Sequence, residues 1–187
     1  MPSDNPKLKI FVHSGFDHDA FLVFQDMLPC LDKSKTLVLT GHSLGAAIST
    51  LIMMYLYEEQ FELGLSINFG QPKVTNRQGT EVYKSLPLLR VADENDVVPL
   101  LPPITLLDSI HGEYAHLGPE LILLKNQYYV YQDQALQRKL PTDSFWENLA
   151  EISVKEHFIV NYLNNIHAKL SKAQQVPYAL RERYIQP

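Results

Sequence analysis

The stretch Leu37-Val38-Leu39-Thr40-Gly41-His42-Ser43-Leu44-Gly45-Ala46-Ala47-Ile48-Ser49-Thr50 decides how the rest of the chain is read. A short β-favouring run, Thr36 to Thr40, ends in Gly41-His42-Ser43-Leu44-Gly45 and passes directly into small and apolar residues at helical spacing. That is G-x-S-x-G set between a strand and a helix. A serine in so sharp a turn sits on a strained backbone with its Oγ exposed, and Gly41 and Gly45 are expected to keep Cβ atoms out of the crowded space around it. Ser43 is therefore the candidate nucleophile. Three fixed residues recur by chance, so the weight rests on the strand-turn-helix context; the competing reading is a plain tight turn with a solvated serine.

A neutral serine is a poor nucleophile and needs a base, and the base needs a group that holds it in the right tautomer. After a turn of this kind the partners follow as acid, then histidine, each on a loop beyond a strand. Arg90-Val91-Ala92-Asp93-Glu94-Asn95-Asp96-Val97-Val98-Pro99 carries an apolar stretch from Leu86 into a polar turn that Asp96 closes, with Asp93 and Glu94 as rivals. Of the seven histidines, His13 and His18 precede Ser43, His42 lies in the turn, and His167 sits among Asn164, Asn165 and Lys169. His111 and His116 flank an expected strand start. His157 stands before Phe158, Ile159, Tyr162, Leu163, Ile166 and Leu170, an apolar stripe expected to dock a C-terminal helix on the sheet. A histidine at that boundary faces the nucleophile while its helix is anchored; the plainer reading is a helix cap.

The chain resembles the class 3 lipases, the fungal-lipase-like branch of the α/β-hydrolases. Val12-His13-Ser14-Gly15-Phe16 resembles the family's V-H-x-G-F, Leu39 to Gly45 its T-G-H-S-L-G, and Phe69-Gly70-Gln71-Pro72-Lys73-Val74 its F-G-x-P-R-V. Asn95 to Pro99 resembles the acid turn D-x-V-P, Tyr114 to Glu120 the motif Y-x-H-x-G-x-E, and His157 to Leu163 the histidine-bearing H-x-x-x-x-Y-L. The blocks run in family order from Val12 to Leu163. The resemblance implies a triad of Ser43, Asp96 and His157, an elbow of Gly41, His42 and Gly45, the Leu44 amide as one oxyanion donor, and hydrolysis of lipid or other carboxylic esters.

One departure stands against these agreements. Members carry, ahead of V-H-x-G-F, strands that include an R-G-T-like segment and a lid helix, whereas eleven residues precede Val12 here and Gly79-Thr80 lies after the F-G-x-P block. The resemblance therefore implies an α/β-hydrolase-like, mostly parallel sheet with helices on both faces, N-terminally truncated relative to the family. The absent segment supplies the second oxyanion donor, and losing one such donor costs on the order of a hundred- to a thousand-fold in rate. A non-catalytic lipid-binding or interaction protein, or a piece of a longer lipase, are the alternatives this leaves.

The 187 residues, 45% hydrophobic and without a low-complexity tract, are expected to form a single domain, 1–187, around one core. Twenty-one acids against 16 bases, a net charge of −5, offer no basic face for nucleic acid. The single Cys30 excludes an intrachain disulfide and fits a reducing compartment; with no signal-like N-terminus, the expected location is cytoplasmic, or secreted if an N-terminal segment was lost. Leu44 to Tyr57 is too short to span a bilayer, so no integral membrane segment is expected. The chemistry needs no metal or organic cofactor, and Asp17-His18-Asp19 reads as a solvated helix start rather than a ligand set.

The coarse order is strand Lys9 to His13, helix Asp19 to Leu28, strand Leu37 to Thr40, helix Leu44 to Tyr57, strand Leu65 to Phe69 and helix Thr75 to Ser85. Strands over Tyr114 to Leu124 and Gln127 to Gln132, joined at Lys125-Asn126, form a late hairpin. Ser144-x-x-Glu147 matches a capping box opening a helix with Phe145, Leu149 and Ile152 on one face. Leu100, Leu101, Ile104 and Phe158 flank the acid and base and are candidates for an acyl-binding surface. The tail from Gln174 carries no functional signal.

Overall fold

The computed structural model describes residues 2–102, 112–133 and 155–185. Ile104, His111 and the Ser144-x-x-Glu147 helix lie outside them. Among the described residues the main sheet has six strands: β3 (Thr40–His42), β4 (Ser66–Phe69), β6 (Leu88–Asp93), β8 (Glu120–Leu123), β9 (Tyr128–Gln132) and β10 (Gln174–Gln175). Their spatial order is β10-β9-β8-β6-β4-β3. The pairs β3/β4, β4/β6, β6/β8 and β9/β10 are parallel, and only β8/β9 is antiparallel. Parallel strands need crossovers, and the helix α2 (Leu44–Glu58) supplies the one from β3 to β4. Its residues are apolar on nearly every side, as suits a helix packed between the sheet and α1 (Ser14–Met27).

Alternation along the strands sorts the two faces. Ser66, Asn68 and Leu88 face α2, while Ile67, Phe69 and Val91 face α4 (Ile159–His167) on the other side. Leu51, Met53, Met54 and Leu56 are fully buried in the larger core; at roughly 1.5–3 kcal/mol for each such side chain, α2 is held by packing rather than by propensity. On the α4 side a groove of about 470 Å³ runs along Ile67, Leu89, Leu121 and Tyr131 beyond the short helix.

Several expected elements are placed differently. Lys9 to His13 was expected in the parallel sheet; instead β2 (Ile10–His13) belongs to a second, antiparallel sheet with β1 (Pro2–Asn5), β5 (Thr75–Asn76) and β7 (Tyr114–Ala115), in the order β1-β2-β5-β7. The expected strand over Tyr114 to Leu124 is two strands in two sheets. The break falls at Gly118, whose φ of +75° suits glycine, and where a Cβ would come within 2.6 Å of the Leu88 carbonyl oxygen. The expected helix Thr75 to Ser85 shortens to α3 (Arg77–Val82), because Thr75 and Asn76 join the small sheet and Asn76 Oδ1 accepts from the Gly79 N–H as a cap.

Helix α1 starts five residues earlier than expected, with His13 Nδ1 accepting from the Phe16 N–H. Asp17 is not merely solvated: it accepts from Asn5 Nδ2 and Tyr55 Oη, tying β1 to α2. The Leu37 to Thr40 strand shifts to Thr40–His42, with a lone bridge from Leu37 to Leu63, and Val38 points to solvent at this outer edge. The hairpin at Lys125-Asn126 forms, with Asn126 in the left-handed region at φ +56°. The tail has a role that its sequence did not signal. Gln174–Gln175 adds the edge strand, Arg181 pairs with Glu94, and Tyr184 packs on Tyr128.

Candidate active site

Ser43 occupies the N-cap position of α2 at φ +57°, ψ −124°, and its side chain makes no capping bond. Serine at an N-cap ordinarily spends its oxygen on the first-turn amides; the strained backbone turns Oγ away from them. Gly41 makes the turn possible, since a Cβ there would overlap the Gly45 carbonyl and come within 2.6 Å of Ala46 N. Gly45 is different from expectation. Nothing among the described residues lies within 4 Å of the Cβ it lacks, and the residue is exposed.

Ser43 Oγ lies 2.6 Å from His157 Nε2, and His157 Nδ1 lies 2.8 Å from Asp96 Oδ2. A carboxylate only accepts, so Nδ1 carries the proton and Nε2 offers its lone pair to the serine hydroxyl. The Asp96 side chain is fully buried and that of His157 is 14% exposed. Asp96 Oδ1 accepts from the Val98 N–H, which turns the carboxylate toward the histidine. Gly70 leaves the space: at φ +55°, a Cβ there would lie 2.9 Å from His157 Cε1 and 3.0 Å from Asp96 Oδ2.

The rival acids have other partners. Asp93 ends β6, with Oδ1 accepting from the Asn95 N–H and Oδ2 from Asn165 Nδ2, and burial raises its pKa. Glu94 pairs with Arg181. Lys169 Nζ donates to the carbonyls of Leu124 and Asn126 and to Asn165 Oδ1, and burial pulls its pKa down to about 8. Among the other histidines, His13 caps α1 and stacks on Phe16, His18 and His167 are exposed, and His116 Nε2 donates to the Pro99 carbonyl below the acid turn.

The helix that follows His157 docks through fewer residues than its stripe implied. Tyr162 is fully buried and Ile166 partly so, whereas Phe158, Ile159, Leu163 and Leu170 are exposed. Tyr162, Ile166 and Lys169 recur at i, i+4 and i+7, and that narrow face meets the sheet. Sequence reasoning placed Tyr162 in the core and missed its polar end. Its Oη donates to Asp96 Oδ2 at 2.6 Å and accepts from the Asp93 N–H at 3.1 Å; desolvation, then Asp96, keeps the phenol protonated. Below the turn, a buried cluster of Asn68, Thr50, Gln71 and the Ala46 carbonyl joins β4 to the first turn of α2.

The Leu44 N–H opens α2 beside Ser43 and has no partner among the described residues, as the first amides of a helix commonly do. Leu44 and Phe158, both exposed, flank the serine and the histidine, while Leu100 and Leu101 are partly buried behind the acid turn. Among the described residues no group of histidine, cysteine, aspartate or glutamate is arranged to hold a metal. None of the described helices is long and apolar enough to cross a membrane.

A mostly parallel sheet between helices, with a strained strand-to-helix serine at its carboxyl end, is an α/β-hydrolase fold. The chain belongs to the class 3 lipase family, whose model matches residues 2–106. It is similar to the secreted mono- and diacylglycerol lipase 1 of Fusarium solani, 32% identical over an alignment 124 residues long that covers 58% of this chain and 33% of that protein. Among solved structures it is similar to lipase II from Rhizopus niveus, with a TM-score of 0.62, 23% identity and coverage of 84% of this chain and 61% of that one. The Rhizomucor miehei triacylglyceride lipase gives a TM-score of 0.56 and 25% identity, covering 84% and 62%. The matched stretch is about a third of the Fusarium protein's length.

Proposed function

We propose that this chain is a serine hydrolase acting on carboxylic esters of lipids. The observation that carries the reading is the continuous hydrogen-bonded line from Ser43 Oγ through the His157 ring to Asp96, ending on a serine held at positive φ. His157 takes the Ser43 proton as Oγ attacks the ester carbonyl, the Leu44 N–H stabilises the oxyanion, and His157 returns the proton to the leaving alcohol. Water then hydrolyses the acyl-enzyme by the same route. Asp96 holds the His157 tautomer and stabilises the imidazolium. Membership of a lipase family and exposed apolar residues at Leu44 and Phe158 support a lipid ester as substrate. A cytoplasmic location is part of the proposal, on the exposed, unpaired Cys30, and fractionation with a marker enzyme tests it.

The test is hydrolysis of short- and long-chain p-nitrophenyl esters by the chain and its Ser43→Ala variant, with circular dichroism establishing that both are folded. Turnover that disappears in Ser43→Ala supports the reading. Equal background rates from two folded proteins overturn it and favour a lipid-binding role.

A further inference from the structure

Two consecutive residues of the elbow grip the same histidine. Ser43 Oγ meets the His157 ring at Nε2, and His42 Nε2 meets the His157 main-chain carbonyl oxygen at 2.7 Å. The two imidazole rings stack, with centroids 4.6 Å apart and planes inclined at 30°. Since a carbonyl oxygen only accepts, His42 Nε2 carries the proton. His42 is itself held on two sides. Its backbone pairs in register with Phe69 of β4, and its ring meets Tyr162 edge-on at 5.9 Å.

His157 has need of such a grip. It ends a three-residue 3-10 turn, Lys155–His157, before α4 begins at Ile159, so no sheet ladder fixes it. The bond that closes this turn, from the Phe158 N–H to the Lys155 carbonyl, is long at 3.3 Å. The base is thus the least anchored member of the Ser43, His157 and Asp96 set, while Ser43 and Asp96 are fixed by β3 and by the β6 turn. A clamp on its carbonyl, springing from the residue next to the nucleophile, sets the Ser43 to His157 gap by the covalent geometry of one dipeptide.

We propose that His42 is a positioning residue for acyl transfer: its Nε2–H bond to the His157 carbonyl and its ring stack hold the base against Ser43. His42 does not touch the reacting atoms. The inference rests on the serine-hydrolase reading, and the experiment separates the two.

The experiment compares the chain with His42→Ala, His42→Gln and His42→Phe, using p-nitrophenyl butyrate turnover and single-hit reaction with a p-nitrophenyl alkylphosphonate. In the second reaction Ser43 Oγ bonds to phosphorus, p-nitrophenolate leaves, and the hydroxyl proton passes to His157. His42→Ala removes the donor and the ring, His42→Gln keeps a donor, and His42→Phe keeps a ring. Misplacing a base by an ångström costs on the order of 100-fold, so kcat and the phosphonylation rate of His42→Ala should fall about 10- to 100-fold. KM should stay within about threefold, since substrate contacts are untouched. His42→Gln should recover part of the rate and His42→Phe should not recover the bond's share.

A His42→Ala variant within about twofold of the parent in kcat overturns the proposal. So does a loss that follows the folded fraction in thermal melts with no recovery in His42→Gln. Absence of Ser43-dependent phosphonylation in the parent chain overturns the hydrolase reading and this inference with it; normal phosphonylation in every His42 variant overturns the inference alone.

Discussion

Replacing Tyr162 by phenylalanine removes one oxygen that serves two buried partners. Tyr162 is fully buried, its Oη donating to Asp96 Oδ2 and accepting from the Asp93 N–H. A hydrogen bond to a charged group contributes roughly 1.5–3 kcal/mol, and a buried N–H left without a partner costs about 1–3 kcal/mol more. The ring stays and packs as before, so the net loss should be about 2–4 kcal/mol, less than the sum because the two bonds share one oxygen. For a chain of this size each kcal/mol moves Tm by about 2–4 °C, giving a fall of about 4–16 °C. Urea unfolding followed by far-UV circular dichroism measures the change. Because Asp96 Oδ2 is also the oxygen that holds His157 Nδ1, turnover of p-nitrophenyl butyrate at a temperature where both forms are folded should drop about tenfold. A Tyr162→Phe variant within about 0.5 kcal/mol of the parent would refute the bookkeeping, since it would mean that water reaches the Asp93 amide or that the hydroxyl is dispensable.

The two elbow glycines should part company. Gly41→Ala drives a Cβ into the backbone of Gly45 and Ala46 and should fail to yield a stable protein, while Gly45→Ala meets nothing and should gain up to about 0.5–1 kcal/mol from helix propensity, as urea midpoints would show. At Gly70, alanine would lie against His157 and Asp96 in a left-handed conformation; about 1–2 kcal/mol of strain and a fall of about 100-fold in turnover are expected, and a fully active Gly70→Ala would contradict the geometry. Burial raises the Asp93 pKa above its ordinary value of 3.8, so the folded chain holds that proton more tightly than the unfolded one. Its contribution to stability is present below the ordinary pKa and is lost as pH rises through the folded one. Asp93→Asn should remove that decline, and stability-versus-pH slopes that match the parent's from about pH 4 to pH 7 would rule it out.

Much of this molecule is written in short blocks, and each is legible for a local reason. Gly41 is required by contacts four and five residues away, so the turn can be read without knowing what packs on it. The run from Ala46 to Leu56, interrupted only by Ser49 and Thr50, announces a buried helix because its apolar residues leave no broad face for water. The acid turn was harder: Asp93, Glu94 and Asp96 are alike as sequence, and what distinguishes them lies at Asn165, Arg181 and His157, dozens of residues further on.

The remaining decisions belonged to tertiary structure. Lys9 to His13 looked like another parallel strand because alternation reports one buried face and says nothing of the partner; the antiparallel partners Asn5 and Thr75 sent it to a second sheet. The tail from Gln174 had no pattern of its own, since a two-residue edge strand takes its order from the strand it joins. Tyr162 read as core, and its ring is core, but its hydroxyl acquired meaning only when α4 laid it against Asp96. His42 was one letter of a motif until the fold stacked it on His157. Residue types and their order along the chain determined which chemistry is available, because a nucleophile, a base and an acid are properties of side chains. Which of them meet was decided by the sheet and α4, because a hydrogen bond spanning 61 or 114 residues depends on where the backbone carries each end.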